Sequence, residues 1–138
     1  MAEKYYIDAC IWKDYIENRS DRFRPLGDWA LEIIKKIIRE NGFFILSDHL
    51  IKELKVQYSQ EELDKFFEII PEQLIIKIET NEKQAKEAFR LKTKLNIPFG
   101  DALHAVLARD NNAVLISRDK HFYELTKEII IKKPEDLI

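Results

Sequence analysis

The chain has 138 residues, 46% hydrophobic and 35% charged, with a formal net charge of −2 at pH 7. That length and apolar content predict one globular domain over residues 1–138 whose core needs no disulfide, and the single cysteine, Cys10, excludes an internal one. The balanced charge excludes an overall basic nucleic-acid footprint; with no signal-type leader and no apolar run near 18 residues, the expectation is a cytoplasmic protein with no membrane span.

In chain order, "KYYI" (Lys4 to Ile7) reads as a strand, followed by Ile11, Trp12, Tyr15 and Ile16 at helical spacing. A loop, "NRSDRFRP", leads to a helix that Asp28 caps and that carries Trp29, Ala30, Ile33, Ile34, Ile37 and Ile38 on one stripe. It ends at Asn41-Gly42, with the glycine expected to take the left-handed conformation. "FFIL" (Phe43 to Leu46) is a buried strand, after which Ser47 or Asp48 caps a helix with Leu50, Ile51, Leu54 and Tyr58 facing inward.

Ser59 with Glu62 forms a capping box before Leu63, Phe66, Phe67 and Ile70, and Pro71 stops that helix. "LIIKI" (Leu74 to Ile78) is a third strand. Asn81 and Gln84 open a helix predicted to bury Ala85, Ala88, Phe89 and Leu95. A helix from about Phe99 to Arg109, a strand "AVLI", a short helical piece near Phe122 to Leu125 and a last strand "IIIK" complete the chain.

Apolar strands separated by helices require a parallel sheet covered on both faces. The fold class is therefore α/β, three-layered α/β/α with about five parallel strands. Ligands in such sheets bind outside the carboxyl ends of the strands. Asp8 follows the first strand, Asp119 follows the fourth, and Glu53 lies in the second turn of the helix leaving the second strand, so these three share one edge. Asp101 is less determined: its helix feeds a strand and is expected to start at the opposite edge unless the preceding helices and the "NIPFG" loop return it. Each acid also has an ordinary role as a turn or first-turn residue. Asp48 competes with Glu53, but capping gives Asp48 a sufficient reason of its own.

"YYIDACIW", "LSDHLIKEL", "IPFGDALHAVLA" and "LISRDKHF" resemble, in order, the four motif blocks of the PIN domain, a metal-dependent ribonuclease fold that includes VapC-like toxins of toxin–antitoxin pairs. The resemblance spans about Lys4 to Lys132, and "GDALHAVLA" with "LISRD" is its most specific part. It implies that Asp8, Glu53, Asp101 and Asp119 form the family's acidic quartet, with Ser117 as its small hydroxyl residue, and that Asp101 joins the cluster. It further implies Mg²⁺ or Mn²⁺ held by Asp8, Asp101 and Asp119, with Glu53 as a further ligand or a water-orienting group. An RNA substrate, a homodimer and a small antitoxin partner follow from the same likeness. One departure stands out: Ala9-Cys10 replaces the threonine or serine that many members carry after the first aspartate.

Four converging carboxylates suit a divalent ion with a preference for oxygen, which relieves their repulsion, acidifies water and offsets phosphate charge. His104, three positions after Asp101, has an ordinary structural reading. Arg118, Lys120, His121, Lys52, Lys55 and Arg90 are candidates for phosphate contact, or a solvated charged face. Trp12, Tyr15, Phe23 and Trp29 read as core or dimer contacts, and Cys10 lacks a histidine at readable spacing for nucleophilic chemistry. The alternatives are a PIN-like RNA-processing or RNA-binding protein outside a toxin pair, and a receiver-type metal-binding signalling domain.

Overall fold

The computed structural model describes residues 2–125 and 129–138. Strand β1 (Lys4–Ile7) leads into α1 (Ala9–Glu17) and α2 (Leu26–Arg39), and β2 (Phe43–Ser47) into α3 (Asp48–Leu54) and α4 (Gln60–Phe67). Strand β3 (Ile75–Ile78) is followed by α5 (Glu82–Leu95) and α6 (Phe99–Asp110), then β4 (Val114–Ile116) and β5 (Ile131–Lys132). The five strands form one sheet in the order β3-β2-β1-β4-β5, and every pairing is parallel. That order is not the 2-1-3-4-5 of receiver and flavodoxin-like sheets, so the signalling alternative is set aside. Among the described residues, no helix is long and apolar enough to cross a membrane.

Alternation along the strands divides the core. Tyr6, Ile45 and Leu115 face α5 and α6, packing on Ala88, Leu91, Ala102 and Val106. Ile7, Phe44, Leu46 and Ile116 face the other way, onto Trp12, Ile33, Ile37, Leu50 and Leu54. Neighbouring residues in each strand are thus buried on opposite faces, which is why the strands read as unbroken apolar runs. α6 is buried from Ala102 to Ala108, and its alanines let it lie close to the sheet.

Both predicted capping boxes form: Ser59 Oγ accepts from the Glu62 amide at 3.1 Å, and Asn81 Oδ1 from the Gln84 amide at 2.8 Å. Ser47 caps α3, its Oγ accepting from the Leu50 amide at 3.0 Å. Three local expectations need correction. α2 starts at Leu26 behind Pro25, so Asp28 sits inside the first turn and favours the helix by its charge alone. Asn41, with φ 56°, takes the left-handed conformation, and Gly42 serves for space, since a Cβ there would lie 2.9 Å from Ile37 Cγ2. Leu74 belongs to a 3₁₀ turn, Glu72–Leu74, so the third strand starts one residue later.

Phe89 is 60% exposed and does not join the core; Leu91, 3% exposed, takes the inward position with Ala88. Leu91→Ala is expected to cost about 2–5 kcal/mol in chemical denaturation. Phe89→Ala is expected to stay within about 0.5–1 kcal/mol of the parent. The reverse ranking would contradict this packing.

Candidate metal centre

Strand register places the first part of the site. With Ile7 opposite Ile116, the next residues, Asp8 and Ser117, leave the sheet side by side, and the Asp8 amide donates to the Ile116 carbonyl at 3.0 Å. Asp8 caps α1, its Oδ1 accepting from the Ala9 amide at 2.7 Å. Its Oδ2 accepts from Ser117 Oγ at 2.8 Å and from Cys10 Sγ at 3.2 Å. Ser117 Oγ in turn accepts from the Asp119 amide at 3.0 Å, so one hydroxyl ties two predicted ligands together. The Cys10 thiol thus donates to Asp8 beside the Ser117 hydroxyl, although no hydroxyl residue follows Asp8 in the chain. Burial, with the Asp8 charge added, pushes that thiol up and keeps it a protonated donor.

Asp101 does not start at the opposite edge. α6 turns through residues 111–113 directly into the amino end of β4, so its own first turn must lie at the carboxyl edge. His121 confirms the placement: its Nδ1 donates to Asp101 Oδ2 at 2.8 Å and lies 3.0 Å from Asp119 Oδ1. Burial and the neighbouring Asp119 charge push the Asp101 carboxyl up to about 6, with Asp8 adding to the rise and the His121 hydrogen bond opposing it. His121 is raised in turn by its bond to Asp101 and the charge of Asp119.

Glu53 faces two imidazoles. His104 Nε2 lies 3.0 Å from Glu53 Oε1 and 3.8 Å from Asp8 Oδ1, and His49 Nε2 lies 3.1 Å from the same Glu53 oxygen. Burial opposes ionisation of Glu53, but His104 and His49 more than offset it and hold the carboxyl below the ordinary range. The other side of His104 is fixed by Tyr6, whose Oη is 2.5 Å from His104 Nδ1 and 2.6 Å from Ser47 Oγ. Gly100 lets the first turn of α6 come close, since a Cβ there would meet Glu53 Oε1 at 3.1 Å. Asp48 is engaged elsewhere, its Oδ1 accepting from the His49 amide and from the Thr80 amide and hydroxyl.

The structure thus brings Asp101, Asp119 and His121 together, ties Asp8 to Asp119 through Ser117, and sets Glu53 one histidine away from Asp8. Crowded oxygen donors with a raised carboxyl are the donor set that a hard divalent cation relieves, and ligand atoms of Asp101, Asp119 and His121 all lie within 4.8 Å of one another. His49 escapes a reading of the sequence, which lets His104 face the site while favouring a structural role for it. The usable signal was spacing: His49 and Glu53 are four apart on α3, and His104 follows Asp101 by about one helical turn. Arg118 is not available for phosphate, because its guanidinium pairs with Glu135 at 2.6 Å and covers the Trp29 ring.

Among curated protein sequences, none matches the chain. Three solved structures share its fold. VapBC2 from Rickettsia felis, described as bound to a DNA fragment from their promoter, gives a TM-score of 0.68 at 19% identity, covering 94% of this chain and 98% of that one. VapBC-1 from nontypeable Haemophilus influenzae gives 0.66 at 16% identity, covering 96% and 98%. FitAcB from Neisseria gonorrhoeae gives 0.63 at 11% identity, covering 95% and 98%. The family model described as PIN domain matches residues 5–128, and the chain belongs to the PIN domain family.

Proposed function

We propose that the chain is a divalent-metal-dependent endoribonuclease, the toxin of a two-protein toxin–antitoxin pair, working in the cytoplasm. The observation that carries this reading is the convergence of Asp101 and Asp119, with Asp8 tied to Asp119 through Ser117 at the strand exits and Asp101 pushed up to about 6. Membership of the PIN family supports nuclease chemistry, and the likeness to VapBC and FitAB assemblies supports a small antitoxin partner.

Asp8, Asp101 and Asp119 would hold Mg²⁺ or Mn²⁺, which when bound supplies a Lewis acid that acidifies water and offsets charge on a scissile phosphodiester. Asp8 is the anchored member, buried and held by Ala9, Cys10 and Ser117. Asp101 and Asp119 sit nearer solvent, where RNA approaches, and His121 carries a proton to the same oxygens that a cation would take. Glu53, presented by His49 and His104, orients water or adds a ligand. Ser117 keeps Asp8 and Asp119 in fixed relation.

Phe23, 98% exposed at the tip of the loop between α1 and α2, supports a homodimer, since an isolated chain gains nothing from presenting an aromatic ring to water. Light scattering at micromolar concentration is expected to give twice the mass of one chain, with Phe23→Asp shifting it toward one. A single-chain mass for the parent over that range would remove the dimer.

Asp101→Asn tests the chemistry. The variant loses one of several mutually repelling charges, so the metal-free protein should keep or gain stability, whereas loss of a mere first-turn charge would cost about 0.3–1 kcal/mol. Mg²⁺-dependent cleavage of RNA should fall by about 100-fold or more, beyond the usual cost of losing a supporting partner of a metal ligand. Asp48→Asn, whose side chain points at Thr80, should cleave as the parent does. A small antitoxin partner, where one is encoded beside the chain, should bind it and suppress cleavage. A destabilised Asp101→Asn protein cleaving at the parental rate would sink the assignment.

A further inference from the structure

Beside the carboxylates lies a second donor set of different chemistry. His49 Nε2, Glu53 Oε1 and His104 Nε2 lie within 4.8 Å of one another, two imidazole nitrogens around one carboxylate oxygen. The separations from that oxygen are 3.1 and 3.0 Å. An ion bonded to nitrogen and oxygen at about 2.1 Å places adjacent ligand atoms about 3.0–3.4 Å apart, so the donors already stand near the spacing of a filled coordination shell.

Two further observations point to a ligand here. His49 Nε2 is buried and makes no hydrogen bond, although Glu53 Oε1 lies 3.1 Å away. A buried imidazole nitrogen without a partner is costly unless something supplies one. His104 is 0% exposed, and its far nitrogen is occupied by Tyr6 Oη, itself held by Ser47 Oγ. His104 Nε2 faces Glu53 Oε1 at 3.0 Å, so a cation entering between nitrogen and carboxylate oxygen takes the place of the proton they share. A hydrogen-bonded second nitrogen that fixes tautomer and ring orientation is the usual support of a metal-bound histidine.

We propose that His49, Glu53 and His104 form a binding site for a borderline-soft divalent cation of the zinc class, separate from the aspartate-dominated set of Asp8, Asp101 and Asp119, which one exposed imidazole, His121, flanks. Imidazole nitrogen favours Zn²⁺, Co²⁺ or Ni²⁺ over Mg²⁺, which takes oxygen and keeps its water. The chain therefore sorts ions between neighbouring places: a hard ion among the aspartates and a softer one at the histidines, with Asp8 Oδ1 3.8 Å from His104 Nε2 marking the border. The site shares Glu53 with the nuclease reading but does not depend on RNA cleavage.

The test uses the full chain labelled with ¹⁵N-histidine, titrated with ZnCl₂ and separately with MgCl₂ by calorimetry and NMR. Zn²⁺ is expected to shift the Nε2 resonances of His49 and His104, and His49→Ala to weaken Zn²⁺ by about tenfold or more and to weaken Mg²⁺ by less than it weakens Zn²⁺. Asp101→Asn should do the opposite, weakening Mg²⁺ more than Zn²⁺. His104 is read in the parent protein by NMR, so no substitution at that buried position is needed. Zn²⁺ that shifts only His121, or binds His49→Ala as tightly as the parent, or does not bind at all, would overturn the site. Failure of RNA cleavage with zinc-shifted His49 and His104 would overturn the nuclease reading and leave this site standing.

Discussion

Everything at the carboxyl edge hangs on the hydroxyl of Ser117. It donates to Asp8 Oδ2 and accepts from the Asp119 amide, joining the exit of β1 to the exit of β4. The parallel register that pairs Ile7 with Ile116 makes this possible, because it delivers Asp8 and Ser117 to the same level with no intervening loop. Once Asp8 is fixed there, α1 starts from it as a cap, and Asp119 is drawn in from the following turn. Hydrogen bonds between a buried carboxylate and fixed donors are stronger than those between neutral groups, which suits an anchor placed under electrostatic load.

That load is the repulsion among the aspartates. Asp101 folds into an environment that favours its protonated form, so its contribution to stability is full below the ordinary carboxylate range and is lost as pH rises through about 6. At neutral pH the ionised cluster is a net cost to the fold. Glu53 has the opposite sign: its carboxyl is held low by two histidines, so it supports the fold at neutral pH and that support is lost only as the solution becomes strongly acidic. The two halves of the edge thus differ in what they lack. The aspartate half has one imidazole, His121, for two carboxylates, and in the histidine half the buried His49 Nε2 makes no hydrogen bond although Glu53 Oε1 lies 3.1 Å away.

Much of this was legible from residue order. Unbroken apolar strands between amphipathic helices specify a doubly covered parallel sheet, and Ser59-Glu62 and Asn81-Gln84 announce their helices through local hydrogen bonds alone. Asp8, Glu53 and Asp119 could be assigned to one edge because each follows a strand. What stayed hidden was set by contacts distant in sequence. His49 and His104, 55 positions apart in the chain, meet through the approach of α6 to α3, permitted by the bare Cα of Gly100. Phe89 and Leu91 lie only two residues apart on an amphipathic helix, and which one faces the sheet depends on how α5 rolls against α6. Strand order left Asp101 undetermined because two consecutive helices hide the direction of the second, and only the family resemblance brought it to the cluster, yet a short turn into β4 leaves only one possible direction.

The central claim is that the aspartates hold uncompensated negative charge that a divalent cation relieves. Carboxyl ¹³C NMR of Asp101 across a pH titration tests it most directly, in metal-free protein and again with saturating Mg²⁺ or with Na⁺ at equal ionic strength. The account predicts a metal-free midpoint near 6 that falls below the ordinary carboxylate value with Mg²⁺ and hardly moves with Na⁺. A midpoint at the ordinary value, or one that both salts move equally, would contradict it.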